Sequence, residues 1–261
     1  LVEMFSYRLM VRAGVVGLLV SRCAALLGVC LVLKRYSMIG DGLSHVGFGA
    51  LAVASALGLA PMAVAVPVVV VAAFLLLRLS SRGKLKGDAM IAMISTAALA
   101  VGVIALSLSN GTTGDVNNYL FGSVLAMSES DLKLSVVLAA VVLSLFAIFY
   151  RKIFSVTFDE TFARATGEKV ERCNALLAFL TAITVVLGMR VMGAMLISSL
   201  IVFPGLTAMR VFKSFRKVLL CALAVSVVCF FAGLCASFAL SIPTGASVVA
   251  ANVLAFLLFS G

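Results

Sequence analysis

The sequence predicts an all-α fold, a polytopic bundle of transmembrane helices, and three observations carry that reading. Of the 261 residues 64% are apolar and 11% charged, with mean hydropathy +1.26, whereas soluble domains are about 45–50% apolar and about 25% charged. Uncharged runs such as 60–77 and 136–150 approach the ~20 residues that cross a ~30 Å hydrocarbon core. No segment alternates apolar and polar residues in ~10-residue units, so helices are expected rather than a barrel.

Taken in order, apolar segments fall at 10–33, 42–60, 61–78, 89–109, 132–150, 173–189, 191–209, 218–240 and 245–260. That gives eight or nine spans, depending on how the first three are divided. A single transmembrane domain over residues 1–261 is expected, with no separate soluble domain. The first segment is too long for a cleavable signal peptide and lacks a small-residue cleavage site. Charges punctuate the rest. Arg78, Arg82, Lys84 and Lys86 form one cluster, Arg151, Lys152, Arg164, Lys169 and Arg172 a second, and Arg210, Lys213, Arg216 and Lys217 a third. The stretch 110–131 holds Asp115, Glu129 and Asp131 and no basic residue. Cytoplasmic loops attract Lys and Arg, so 79–87, 151–172 and 210–217 are placed inside and 110–131 outside. The spans then alternate from residue 61 onward and the C-terminus lies inside. The first span is ambiguous, because Arg8 and Arg12 compete with Lys34 and Arg35 for the cytoplasm. Since the basic residues sit in loops between spans, the net charge of +10 gives no argument for nucleic acid.

Several chemistries are excluded. No GxxxxGK[ST] phosphate loop occurs, so this chain does not hydrolyse ATP by that device. The single histidine, His45, rules out HExxH and any Ser-His-Asp set that does not use it. The six cysteines lie in or beside apolar segments without a CxxC, which reads as buried thiols behaving as small hydrophobes. The pattern is that of a conduit rather than an enzyme.

What remains is the segment Gly40–Gly49, GDGLSHVGFG. Asp41 and His45 are four residues apart, so on a helix they share a face. A carboxylate and an imidazole together form a ligand pair for a divalent transition metal. Ionisable groups at membrane depth are costly and mark pathways. The plainer reading makes Asp41 a helix N-cap and His45 a neutral side chain on a backbone carbonyl. Flanking Gly40, Gly42, Gly47 and Gly49 favour function, because they allow close approach of backbone or substrate. The other charges inside apolar sequence are Arg22, which snorkels or pairs with a carboxylate, and Arg190, read as lying in the turn between two spans.

Two further stretches are informative. Ser198, Ser199 and Pro204 fall within 193–208 and read either as a kinked helix or as a broken helix lining a pathway. In 158–167, FDETFARATG, Asp159 starts a short helix, Phe162 and Ala165 follow at helical spacing, and Gly167 stands where a C-cap belongs. Glu160 and Arg164 give that helix charges of both signs, which suits docking into a groove on a soluble partner over lying flat in the headgroup layer.

On these residues the chain resembles the permease subunit of ABC-type zinc and manganese importers. Four blocks carry the resemblance: LKRYSMIGDGLSH at 33–45, NYLFG at 118–122, GAMLISSL at 193–200 with Pro204, and PTGAS at 243–247. The first is the most specific, with GD-x-[IL]-[SA]-H after a basic pair. The resemblance implies a type II ABC importer-like permease in a bacterial plasma (inner) membrane, working as a homodimer. It implies a cytoplasmic ABC ATPase subunit docked on the 159–167 loop and an extracytoplasmic metal-binding protein that delivers the cargo. No permanently bound cofactor is implied; the transported ion is Zn2+, or else Mn2+, and the metal-contacting pair falls on Asp41 and His45. The cargo trades its water for Asp41 oxygen and His45 nitrogen, the latter favouring zinc-like metals over calcium and magnesium. A coordinating imidazole must be neutral, so uptake should weaken in acid. Arg22 departs from the small apolar first span expected of such permeases. The competing readings are a stand-alone secondary transporter or channel, an ABC permease for a siderophore- or cobalamin-like chelate, and an intramembrane metalloenzyme. The first would need more titratable residues in the spans, the second no Asp41 and His45, and the third at least one more metal ligand and a base.

Overall fold

The computed structural model describes residues 8–82, 87–109, 120, 122, 129–194 and 196–260, and among them every regular element is helical. The helices are α1 (Arg8–Leu33), α2 (Ser37–Ala56), α3 (Pro61–Arg82), α4 (Gly87–Leu108), α5 (Glu129–Ile148), α6 (Tyr150–Phe158), α7 (Glu160–Ala165), α8 (Val170–Met192), α9 (Ile197–Val211), α10 (Phe215–Leu240) and α11 (Thr244–Leu258). Each apolar segment read from the sequence finds a helix. By length and apolarity, however, four helical stretches among the described residues suffice to cross a bilayer: Gly14–Leu33, Ala89–Leu108, Val170–Met189 and Phe215–Leu240. The bent pair α5 and α6, which meet at 69°, would make a fifth. The expected count of eight or nine crossings is therefore not established. Pro61–Leu77, Ile197–Val211 and Thr244–Leu258 are apolar but short.

At the centre stands α8, whose residues from Leu180 to Met189 are each buried. A helix apolar and covered on every side belongs in a core. Around it pack α1, α2 and α3; α2 is sandwiched between α3 and α4, while α9 and α10 close against α1 and α11 packs on α9 and α10. Lipid tails are as apolar as leucine, so burial alone does not hold these helices together; close van der Waals fit and interhelical hydrogen bonds do. A Cβ at Gly28 of α1 would lie 1.8 Å from the Ile201 carbonyl oxygen of α9, and one at Gly49 of α2 would lie 2.6 Å from the Ala98 carbonyl oxygen of α4. Neither crossing tolerates a side chain. The Ser226 hydroxyl of α10 donates to the Ser21 carbonyl of α1 at 2.9 Å.

One expectation is corrected here and one open choice is decided. Arg190 is not in a turn, since α8 continues through it to Met192; the chain breaks at Gly193, where φ is +87°. A left-handed glycine costs little there, so the helix ends at the glycine and not at the charge. Pro204 likewise does not break a helix: α9 runs unbroken through it, the cost being the hydrogen bond that position 204 would have given to the Leu200 carbonyl.

Both ends of α1 are tied to distant carboxylates. Near its start, the Arg12 guanidinium donates to the Glu129 carboxylate, within the acidic stretch read as external. At its other end, the Lys34 ammonium donates to Glu160 Oε1 at 2.6 Å, within the basic loop read as cytoplasmic. Lys34 therefore lies at the same end of the bundle as the loop read as cytoplasmic, and Arg12 at the end read as external. The loop 83–86 with Lys84 and Lys86, and also Asn117, Asn118, Tyr119, Phe121 and Met195, lie outside the described residues. The six cysteines are free thiols.

Candidate metal pathway and docking helix

Helix α2 presents the candidate ligands. It starts at Ser37, so at a rise of ~1.5 Å per residue Asp41 stands roughly 6 Å and His45 roughly 12 Å along it. The plainer reading of Asp41 as an N-cap does not hold, because the cap position is Tyr36 and it makes no side-chain capping bond. The faces of α2 are assigned by what meets them. Gly42 and Gly49 turn toward Ile91 and Ala98 of α4, whereas Gly40 turns toward Ile201 of α9. At about 100° per residue, Asp41 and His45 occupy the sector between those two contacts.

As the four-residue spacing requires, the two side chains do come together. His45 Nε2 and Asp41 Oδ2 are 3.8 Å apart, with side-chain exposures of 17% and 41%. That is too long for a hydrogen bond. It is close to what a shared cation needs, since ligand bonds of ~2.0–2.2 Å across such a gap subtend an angle of roughly 130°, wider than tetrahedral. An approach of a few tenths of an ångström would bring the pair to ordinary coordination. The other imidazole nitrogen, Nδ1, is buried with no hydrogen-bond partner among the described residues, an arrangement that costs about 1–3 kcal/mol. Ser44 donates to the Asp41 carbonyl at 2.7 Å and so takes no part in holding either ligand.

Among the described residues no group of three or more His, Cys, Asp or Glu side chains is placed to hold a metal. One chain thus offers two ligands, fewer than the three or four of a resident zinc site. Weak, exchangeable contact is what the pair can supply.

Ser198 and Ser199 are half-buried in the first turn of α9, one turn before Ile201, the residue that Gly40 faces. Neither bonds to Asp41 or His45 among the described residues. Pro204 is buried. Arg22 is exposed on α1, with no carboxylate within 4.0 Å among the described residues.

The loop between α5 and α8 folds as its sequence requires. Asp159 caps α7, its Oδ1 accepting from the Thr161 amide at 2.8 Å and the Phe162 amide at 2.9 Å. At the other end the Glu168 amide donates to Ala163 O at 2.9 Å and the Gly167 amide to Arg164 O at 3.1 Å, with Gly167 at φ +83°. That paired pattern is a Schellman ending. Ala163 is buried while Phe162 is 62% exposed, so the helix anchors by its small residue and presents its aromatic one. Arg164 is exposed. The sequence reading missed α6, a separate short amphipathic helix that carries Phe154 and Phe158, packed tilted and edge-on against Phe215 at 5.0 and 5.7 Å between ring centroids. Its signal was the Arg151-Lys152 pair closing the preceding apolar run.

Sequence reasoning also missed the role of Lys34. Its ammonium, only 5% exposed, donates to Glu160 Oε1 and to Asn174 Oδ1, and Asn174 Nδ2 donates to Glu160 Oε1 at 3.1 Å. Partial burial alone would raise the Glu160 carboxyl, but the Lys34 and Asn174 hydrogen bonds and the Lys34 and Arg164 charges hold it below the usual carboxylate value.

Comparison with known proteins agrees with this architecture. The chain is 32% identical over 257 residues to a probable iron transport system membrane protein of Haemophilus influenzae, covering 98% of this chain and 91% of that one. It is 28% identical over 252 residues to the high-affinity zinc uptake system membrane protein ZnuB of the same organism, covering 97% of each. To the manganese transport system membrane protein MntC of Halalkalibacterium halodurans it is 29% identical, covering 95% and 85%. Its fold superposes with a TM-score of 0.88 on a chain of PsaBC from Streptococcus pneumoniae in complex with Fab, at 24% identity and covering 99% and 94%. With the ABC 3 transport family matching residues 6–260, the chain belongs to that family, as a multi-pass membrane subunit.

Proposed function

We propose that this chain is the permease of an ATP-driven importer of a divalent transition metal, zinc first and manganese next, with two copies lining one pathway. The observation that carries the reading is the Asp41–His45 pair, 3.8 Å apart on one face of α2 with an unpartnered imidazole nitrogen. A hydrated cation leaving a binding protein cannot enter apolar helices bare, and this pair replaces part of its water. Two ligands per chain make four across a two-fold axis, enough to select and few enough to release. ATP hydrolysis belongs to a separate cytoplasmic subunit seated on α7, because this chain lacks a phosphate loop. An extracytoplasmic binding protein supplies the metal on the side of Arg12 and Glu129.

Relatives named for zinc, manganese and iron transport support the cargo class and leave the choice within it to ligand chemistry. One imidazole with one carboxylate favours zinc-like ions over calcium and magnesium. The test is competition between Zn2+, Mn2+ and Fe2+ for uptake by the chain reconstituted with its ATPase subunit and binding protein. Zn2+ should outcompete the others, and equal uptake by complexes carrying Asp41→Ala with His45→Ala would refute the site.

A further inference from the structure

We propose that Lys34 is the relay through which the docking helix α7 sets the position of α2, and with it the Asp41–His45 pair. This rests on the reading of α7 as the ATPase-docking element and of α2 as the metal helix. Three elements meet at one almost fully covered ammonium: the α1–α2 turn supplies Lys34, α7 supplies Glu160 from its first turn, and α8 supplies Asn174. All three side chains bond to one another, so none can shift alone. A nearly buried ammonium that loses its carboxylate is strongly disfavoured, which makes the link one that must move as a unit or break at a cost.

On the α2 side the connection is stiff. The Tyr36 amide donates to Leu31 O at 2.8 Å and the Arg35 amide to Val32 O at 3.0 Å, a Schellman ending for α1. Arg35 holds the left-handed position at φ +60°, which a non-glycine residue adopts only at a cost and where the surroundings fix it. The Tyr36 ring lies 5.9 Å from the Lys34 ammonium, and α2 begins at the next residue. Between Lys34 and Asp41 there is thus no slack: a two-residue turn locked by hydrogen bonds, then one helical turn. On the docking side, Glu160 follows directly on the capping Asp159, so a displacement of α7 is a displacement of its carboxylate. By contrast, α8 is packed on all sides beyond Leu180 and supplies in Asn174 a fixed point against which the other two turn.

The relay predicts a specific failure, in which ATP is spent without metal movement. The experiment is uptake of Zn2+ per ATP hydrolysed, in proteoliposomes holding the full complex of this chain, its ATPase subunit and the binding protein. Lys34→Met should co-purify with the ATPase subunit yet move at least about fivefold less Zn2+ per ATP, Lys34→Arg should keep most of the ratio, and the exchanged pair Lys34→Glu with Glu160→Lys should regain it. Should Lys34→Met fail to fold, Asn174→Ala, which spares the ion pair and removes the fixed point, should lower the same ratio. An unchanged ratio in Lys34→Met or Asn174→Ala overturns the relay. So does loss of the ATPase subunit that the exchanged pair does not reverse, since the contact would then be an assembly anchor. A wild-type complex that hydrolyses ATP and moves neither Zn2+ nor Mn2+ instead overturns the transport reading beneath it.

Discussion

His45 is the residue on which the chemistry turns, because it is at once the lone imidazole and the holder of an unpartnered buried nitrogen. Replacing it or Asp41 with alanine should lower metal uptake at least about tenfold each, given that even outer partners of metal ligands cost 10–100-fold; uptake of the labelled ion by the full complex measures this. Asp159 acts on a smaller scale. Its carboxylate satisfies two amides of a six-residue helix that is too short to persist unaided. Asp159→Ala should weaken α7 by about 1 kcal/mol, read as about fivefold faster hydrogen exchange at the Thr161 and Phe162 amides. Glu160 gives a pH prediction with a definite sign. Its folded-state pKa is lowered, so its stabilising contribution is complete above the unfolded carboxylate value of about 4.3 and is lost only as pH falls through the lower folded value. Anchoring of α7 should therefore persist through mild acid, and α7 amide protection measured between pH 5 and 7 should be flat, while any fall in uptake over that range arises elsewhere.

Between elements, close backbone approach decides what can be altered. Gly28→Ala would push a methyl group into the Ile201 carbonyl and should cost about 1–3 kcal/mol as overpacking, with a lower melting temperature in detergent. Gly14→Ala on the same helix meets nothing nearer than Leu234 Cδ2 at 4.0 Å and should melt no lower than wild type. The two differ only in what faces them, so the pair separates packing from helix propensity. The same reasoning explains what the sequence concealed in α8 and α9. Arg190 looked like a boundary because charges often end apolar runs, yet helix ends are set by backbone geometry, and Gly193 with its left-handed φ was the better marker. At Pro204 the sequence left a kinked and a broken helix open, and the helix runs on, because a proline in a packed helix loses one bond and is held by its neighbours.

Across the whole molecule, what could be read from the sequence was what local rules determine. Apolar runs gave the helices, spacing put Asp41 and His45 on one face, and Asp159 with Gly167 bounded α7 as the structure bounds it. Hidden were the pairings between residues far apart in the chain. Lys34 and Glu160 are separated by 126 positions and Arg12 and Glu129 by 117, so their charges were legible while their partners were not. The wrapping of α8 was equally invisible, because an apolar helix facing lipid and one facing protein share a composition. It has a practical outcome: a photoreactive probe dissolved in the hydrocarbon should mark the exposed Met93, Val101 and Ile104 of α4 and leave Leu180 to Met189 unmodified, since fatty-acyl chains have no access to any side of that mast.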